Sequence, residues 1–165
     1  TVSMDYFDSN DAYYKGSWTL HTLRGLIGEQ AFWRSVRRLI YDTADPWSLS
    51  YPLQPTRRSN DDFVRIASEE YGEDLSWFFD MYLGQAAIPF LVQQRNQDGV
   101  SFSWPHNPEA NFNIPIRVTQ DGRATEYAVP STGERFPLAE DALLQVDPRV
   151  ALFRDFGTTE ACVID

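Results

Sequence analysis

The sequence predicts an α+β fold, in which a helical half-domain of about four helices precedes a small antiparallel β-sandwich. Apolar residues recur at helical spacing from Tyr13 to Gly84. After Ala87 they alternate with polar residues, as in strands that bury one face. Asp98-Gly99 and Asp121-Gly122 lie between alternating segments, and Asp-Gly favours a hairpin because both turn positions accept positive φ. Helices are therefore expected first and strands second.

Four apolar stripes predict the four helices. Gly28 and Gly72 are placed as C-terminal stops. Ser59 or Asn60 is placed as one N-cap, and Asp74 as another. The stripes are Leu20, Leu23 and Ile27; Phe32, Val36, Leu39 and Ile40; Phe63, Ile66 and Ala67; and Leu75, Phe78, Phe79 and Tyr82.

A proline-rich segment, residues 45–55, separates the second and third stripes. Its three prolines forbid a helix, and its aromatic residues argue against plain disorder. We expect an ordered loop packed on the helices. The alternative is that the loop lines a substrate cleft.

The alternating segments predict two hairpins and three shorter strands. The hairpins join residues 90–95 to 100–104 and residues 114–120 to 123–129, and the shorter strands are expected near 136–138, 143–146 and 150–153. Together they form the antiparallel sandwich. The boundary falls near residues 84–88, which divides the chain into a helical domain, 1–86, and a sandwich domain, 87–165.

Composition narrows the classes of function. The net charge of −10 repels phosphate backbones and anionic lipid surfaces, so we expect no nucleic-acid partner and no membrane insertion. No run of eighteen apolar residues is present, which predicts a soluble chain. The lone Cys162 excludes an internal disulfide and leaves the compartment unknown. Thr1 starts without an initiator methionine or a signal sequence, as expected of a chain cut from a longer protein or of a mature secreted one.

Tyr13-Tyr14-Lys15-Gly16 is the strongest candidate site. Lys15 is the only lysine in the chain. A tyrosine at the start of a helix can present its phenol as a neutral hydrogen-bond donor to an oxyanion, which makes Tyr13 the candidate catalytic residue. Lys15 and Gly16 are candidate supporting residues, the lysine by bonding carbonyls and the glycine by allowing close approach. The alternative is an aromatic helix start that packs on a core.

The order of the motifs along the chain resembles the C-terminal part of a gluzincin zinc aminopeptidase of the aminopeptidase N-like family, over roughly residues 10 to 155. The matching motifs are Tyr13-x-Lys15-Gly16, Leu20-His21-x-Leu23-Arg24-x-x-Ile27-Gly28-Glu29-x-x-Phe32, Asp61-Asp62-Phe63, Tyr71-Gly72-x-Asp74-Leu75-x-x-Phe78-Phe79, Gly84, Ile88-Pro89 and Val146-Asp147-Pro148. The resemblance implies that Tyr13 donates a hydrogen bond in the transition state. It also implies a helical half-domain beside a zinc cleft and a sandwich that braces it. Tyr82 stands where the family commonly has tryptophan, so the resemblance is weaker there.

The zinc motif of that family, His-Glu-x-x-His with a later glutamate, is absent from this chain. The two histidines, His21 and His106, lie far apart in sequence, and neither is followed by glutamate. We expect His21 to be an interhelical hydrogen-bonding residue and His106 a loop residue. The chain is therefore expected to hold no metal and to be inactive alone, as a fragment whose missing N-terminal catalytic portion binds zinc.

Three carboxylate pairs, Asp61-Asp62, Glu69-Glu70 and Glu73-Asp74, are alternative acid–base candidates. They are expected at helix starts or on a solvent face, where acids are stabilised by the helix dipole or simply solvated. Two functions follow from the sequence. Either the chain is part of a metallo-aminopeptidase acting on peptides, or it is a non-catalytic interaction or scaffold module.

Overall fold

The computed structural model describes residues 11–49, 57–110, 112–152 and 154–158. The chain divides into two compact units, Thr1–Asp80 and Met81–Asp165. The division falls inside the third helix, whereas the boundary between 86 and 87 stays a prediction from the sequence. In the described part of the chain, no helix is both long and apolar enough to cross a lipid bilayer.

The described residues form three α-helices and a short 3₁₀ turn, of which the last helix extends into the second unit, and the fold class α+β is confirmed. The elements are α1 (Asp11–Tyr41), the 3₁₀ turn (Pro46–Ser48), α2 (Asn60–Tyr71) and α3 (Ser76–Leu83). The structure describes three helices where the sequence predicts four, because the first two predicted helices form one element. α1 is interrupted at Gly28, whose φ of 82° and ψ of 160° lie outside the helical region, so the predicted stop is confirmed as a break.

Both predicted ends of α2 are confirmed. Ser59 is the N-cap, and with Asp62 it forms a reciprocal capping box: the Ser59 hydroxyl accepts from the Asp62 N–H, and the Asp62 carboxylate accepts from the Ser59 N–H. Gly72 ends the helix in the left-handed conformation. Asp74 caps α3 by accepting from the N–H and the hydroxyl of Ser76. These contacts are local, which is why the sequence pattern predicts them.

The buried residues correct parts of the predicted stripes. Leu20 and Ile40 are exposed, because each lies at the margin of the buried face of α1. That face instead takes in the small polar side chains of Thr19, Thr22 and Ser35. The buried apolar residues of this unit are Leu23, Ile27, Phe32, Ile66, Ala67, Leu75, Phe78 and Phe79. Apolar spacing therefore located the helices better than it located their buried faces.

The proline-rich segment is only partly described, since residues 50–56 lie outside the described residues. Pro46 takes the first position of the 3₁₀ turn, where its missing N–H leaves no bond unmade. Trp47 is 91% exposed, so the predicted packing of the loop on the helices is wrong at this residue.

An ion-pair cluster joins α1 to α2. Arg34 Nε lies 2.6 Å from Glu70 Oε2, and Arg38 lies 2.7 Å from Glu70 Oε1 and 2.6 Å from Glu69 Oε2. The Glu70 side chain is only 10% exposed, so the expectation that it lies on a solvent face is wrong. Its charge is offset by two guanidinium groups, which compensates for its burial.

The described residues of the second unit form seven strands in two sheets. The strands are β1 (Phe90–Asn96), β2 (Gly99–Ser103), β3 (Asn113–Gln120), β4 (Arg123–Pro130), β5 (Phe136–Pro137), β6 (Leu143–Val146) and β7 (Asp155–Thr158). One sheet has the order β5-β2-β1-β7 and the other β4-β3-β6. All pairings are antiparallel except β1 with β7, which is parallel and departs from the all-antiparallel prediction.

The observed turn lies at the predicted residues in the β3–β4 hairpin and one residue earlier than predicted in the β1–β2 hairpin. Asp121 and Gly122 both have positive φ and close the β3–β4 hairpin, with Gln120 opposite Arg123. The β1–β2 hairpin pairs Asn96 with Gly99, so its turn is residues 97–98 rather than 98–99. The core between the strands includes Phe102, Trp104, Phe112 and Ile114, together with Tyr82 from the last turn of α3, whose ring centroid lies 6.2 Å from that of Phe112.

Residues 150–152 do not form the strand predicted over 150–153, and residue 153 lies outside the described residues. Asp147 adopts a φ of 51°, and its carboxylate accepts from the N–H groups of Ala151 at 2.7 Å and Leu152 at 3.0 Å. Arg154 Nε lies 4.0 Å from the same carboxylate, and both side chains are 3% exposed. The carboxylate therefore holds a tight loop between β6 and β7 where a strand was expected.

Acidification should test the ion-pair cluster. The hydrogen bond from Arg34, joined by that from Arg38, holds the pKa of Glu70 below its ordinary value. A depressed pKa contributes stability above the unfolded pKa of about 4.3, and this contribution is lost as the pH falls through the folded pKa. Glu70→Gln should lower the free energy of unfolding by about 1 to 2 kcal/mol at pH 7. In urea titrations, the deficit should shrink below about pH 4.3.

The matched control is Glu73→Gln, at an exposed position just beyond α2. It should change the free energy of unfolding little at any pH. A Glu70→Gln deficit that stays constant from pH 7 to pH 3 would show that charge at Glu70 does not stabilise the fold.

Replacing Asp147 tests the loop. Asp147→Ala leaves two N–H groups without their acceptor and removes the carboxylate that lies beside a buried guanidinium, and should lower the free energy of unfolding by about 3 kcal/mol. Asp147→Asn should cost less, because asparagine keeps an acceptor oxygen and tolerates positive φ. Urea denaturation measures both. Equal losses in the two variants would contradict the role of the carboxylate as an acceptor.

Candidate functional site

The first turns of α1 carry the candidate residues. The described part of α1 starts at Asp11, so Tyr13 lies in its first described turn, and Tyr13 is 78% exposed. The Ser17 hydroxyl donates to the Tyr13 carbonyl at 2.8 Å, a contact that involves the Tyr13 backbone and not its phenol. Against the described residues, Tyr13 is thus not packed on a core, which does not favour the alternative of a packed aromatic helix start at this residue. Its catalytic role stays a prediction.

Lys15 and Gly16 lie on the same turn but differ in surroundings. Lys15 is half-buried, and burial lowers the pKa of its ammonium group. Its carbonyl accepts from the Thr19 hydroxyl at 2.8 Å. Gly16 has no described atom within 4 Å of the position that a Cβ would take, so open space lies beside the helix there. The supporting roles of both residues stay predictions.

The outer face of α1 is aromatic. We call Tyr13, Tyr14, Trp18 and Leu20 the outer face; all four are exposed. At about 100° per residue, Tyr14 and Trp18 lie opposite the buried Leu23, whereas Tyr13 and Leu20 lie at the margin of the buried face. Exposed helix faces are ordinarily polar, and four large apolar side chains in two turns indicate a surface suited to contact. The sequence shows these aromatic residues as Tyr13-Tyr14-x-x-x-Trp18, but only the burial pattern shows that their side chains are exposed.

The structure places the two histidines in different units. His21 is half-buried, with its ring 5.4 Å from that of Trp18 in an edge-to-face arrangement within the same helix. The interhelical hydrogen bond expected of His21 stays a prediction. His106 is exposed in a turn closed by the hydrogen bond from the Asn107 N–H to the Trp104 carbonyl, at 3.0 Å, which confirms it as a loop residue.

The carboxylate pairs have structural roles. Asp62 belongs to the capping box of α2, and hydrogen bonds from the Ser59 backbone and hydroxyl lower its pKa. Glu69 and Glu70 bind arginines of α1. Asp74 caps α3. No acid–base pair is therefore assigned from them.

A shallow groove of about 520 Å³ lies between α2 and α3. Val64 and Phe79 contribute apolar surface, and the rim includes Asp61, Glu69 and Asp74. Two of these three carboxylates already serve in the ion-pair cluster and the cap. The groove does not include Tyr13, Lys15 or Gly16, so it adds nothing to the candidate site.

The described part of the chain does not by itself fit zinc. Among the described residues, no group of three or more His, Cys, Asp or Glu side chains is placed to hold a metal ion. A zinc centre of the kind that the resemblance implies would need donors from another part of a longer protein. No chemical step through zinc is assigned to these residues.

Comparisons with known proteins give a structural relative. No protein-family model matches the sequence, and no curated protein is similar to it. Among the solved structures, the chain is similar to aminopeptidase A of Legionella pneumophila, determined in complex with aspartic acid, with a TM-score of 0.53 and 15% sequence identity. The similarity covers 88% of this chain but only 16% of the aminopeptidase. The two proteins therefore share a fold over a limited part of the aminopeptidase.

Gly16 provides a test that separates folding from function. Gly16→Ala fits the space and replaces a poor helix former with the best one, so it should raise the free energy of unfolding by roughly 0.5 to 1 kcal/mol. Thermal or urea denaturation of this chain measures the change. If Gly16 allows a ligand or partner to approach closely, the same substitution should lower activity in a longer protein. A stabilised and fully active variant would remove Gly16 from the candidate site.

Proposed function

We propose that this chain is part of a zinc metallo-aminopeptidase that removes N-terminal residues from peptides. Tyr13 stabilises the transition state, and the zinc ligands belong to a preceding region of a longer protein. The observation that carries the proposal is the placement of Tyr13: its phenol is exposed in the first turn of α1, in a fold similar to part of an aminopeptidase. The identity of 15% supports the fold alone, so the role of Tyr13 depends on the motif and on its exposure.

The chemistry assigned to Tyr13 is electrostatic. Attack on a peptide carbonyl places negative charge on its oxygen, and a phenol O–H held within hydrogen-bond distance of that oxygen stabilises the charge. The donor must be fixed before the reaction occurs, which the first turn of a helix does by setting the Cα–Cβ direction. Lys15 and Gly16 support that turn, the glycine by keeping the space beside Tyr13 open.

Two observations support a longer protein in which another segment carries the zinc ligands. The chain spans 16% of the aminopeptidase to which it is similar, so most of that enzyme has no counterpart here. The outer face of α1 presents Tyr14 and Trp18 beside Tyr13, as expected of a helix that contacts another protein segment. In this proposal, the segment is the missing portion that carries the zinc ligands. The 165 residues alone should not hydrolyse peptides.

A second candidate function is a non-catalytic interaction module. The same exposed aromatic residues on α1 favour it, since a binding face does not need a catalytic tyrosine. The two proposals differ in one respect. An enzyme loses turnover when the Tyr13 hydroxyl is removed, and a scaffold has no turnover to lose.

Tyr13→Phe in the longer protein tests the proposal. With an aminoacyl nitroanilide substrate, kcat should fall on the order of a hundredfold or more, while KM and bound zinc stay near their original values. The reason is that phenylalanine keeps the ring and loses only the donor. The matched control is Tyr14→Phe, which removes the neighbouring exposed hydroxyl and should leave kcat unchanged.

Two results would contradict the proposal in different ways. Full turnover in Tyr13→Phe would remove the catalytic role from Tyr13 and leave the aminopeptidase standing. A folded longer protein with neither zinc nor turnover would instead favour the interaction module.

A further inference from the structure

The edges of the two sheets differ in length. Of the four described edge strands, β5 has two residues, β6 four and β7 four, whereas β4 has eight. Short edge strands are one way in which proteins prevent unwanted strand pairing. β4 pairs with β3 in an unbroken register from Arg123 to Pro130, without a bulge. Its outer edge is thus long and regular, and no strand in the described part of the chain pairs with it.

The hairpin geometry identifies the backbone groups on that edge. In a two-residue hairpin the closing pair, here Gln120 and Arg123, exchanges hydrogen bonds, and hydrogen-bonded pairs then alternate along the ladder. The N–H and C=O groups of Ala124, Glu126 and Ala128 therefore point away from β3. The side chains of all three residues are exposed. A further strand would find donors and acceptors at these positions.

We propose that β4 pairs antiparallel with β4 of a second copy of this chain, about a two-fold axis at Thr125. A two-fold axis brings identical edges together, so every unpaired group meets its complement. The inference does not depend on the proposed function, because it concerns only the sandwich unit. About four backbone hydrogen bonds would join Ala124 of each copy to Glu126 of the other.

Side-chain chemistry selects this register. Thr125 then faces Thr125 of the second copy, a favourable cross-strand pair, and Arg123 faces the ring of Tyr127, which is 42% exposed. An axis at Glu126 would place two glutamates directly opposite each other. An axis at Tyr127 would place Pro130, which has no N–H, opposite Ala124. The register at Thr125 avoids both costs.

The surroundings of β4 accommodate the second strand. On the outer face of the sheet, Glu126 is already paired with Arg117 at 2.7 Å and with Arg149 at 2.8 Å, so the two copies do not bring bare carboxylates together. On the core-side face, an open groove of about 450 Å³ is lined by Val118, Arg123, Thr125 and Tyr127, among others. The Arg123 and Tyr127 side chains of the second copy would enter at this groove. The short ladder makes the dimer weak and concentration-dependent.

Sedimentation equilibrium of the 165-residue chain over increasing concentration tests the proposal. Self-association should be detectable and should strengthen with salt, because each copy carries a net charge of −10. Ala124→Pro removes an edge N–H without touching the β3–β4 hydrogen bonds, and should weaken association about tenfold or more. Circular dichroism verifies that the variant folds. A wild-type chain that stays monomeric at its solubility limit overturns the proposal and leaves the edge to a different partner.

Disulfide trapping tests the register. In a Cys162→Ser background, Thr125→Cys should form an intermolecular disulfide on mild oxidation, because opposed Cα atoms at a non-hydrogen-bonded pair lie about 4.5 Å apart. The matched control is Thr119→Cys on β3, which β4 and β6 flank on both sides and which should not cross-link. Equal cross-linking of the two variants would overturn the register, even if the chain dimerises.

Discussion

The burial of one face of α1 fixes the direction of each candidate functional side chain. Leu23 and Ile27 are buried on that face, and consecutive residues are rotated by about 100° around the helix axis. This rotation places Tyr14 and Trp18 on the side opposite Leu23, whereas Tyr13 lies within about 40° of Ile27 around the axis. Tyr13 is nevertheless 78% exposed, so the described residues leave this end of the buried stripe uncovered. The candidate site is thus the uncovered end of a stripe that is buried further along the helix.

The inner face of α1 is held by polar as well as apolar contacts. Thr19 is buried and satisfies its hydroxyl on the Lys15 carbonyl of its own helix. Beyond the break at Gly28, Arg34 and Arg38 bind Glu70 of α2. A buried charge is tolerated only when partners compensate for its desolvation, and two arginines do so here. Packing near Tyr13 and ion pairing near the end of α1 together fix the helix that presents the tyrosine.

In the sandwich unit, the same need for polar partners concerns backbone N–H and C=O groups. The buried carboxylate of Asp147 satisfies two N–H groups in a loop where a regular ladder would otherwise be needed. The edge of β4 is the opposite case, since about half of its N–H and C=O groups face outward and no described strand lies beside them. At Asp147, a side chain supplies the acceptors that the loop backbone needs. At β4, the outward backbone groups have no described strand beside them, which is the reason for proposing a second copy there.

The sequence by itself determined the local features of this protein. The Asp121-Gly122 turn, the Ser59 cap, the Gly72 stop and the Gly28 break all follow from side-chain and backbone preferences within a few residues. The Tyr13 motif was also visible in the sequence. The α+β class followed because periodicities of 3.6 and 2 are local patterns as well.

Only the tertiary structure decided which faces are buried and which distant segments meet. Leu20 fits an apolar stripe and is nevertheless exposed, whereas Thr22 is polar and buried. Glu70 meets α1, and β7 pairs in parallel with β1 although nothing near it in sequence specifies that partner. The exposure of Tyr13 belongs to this second group. These outcomes depend on the burial and charge compensation that each face finds on another element, and no short window of sequence contains that information.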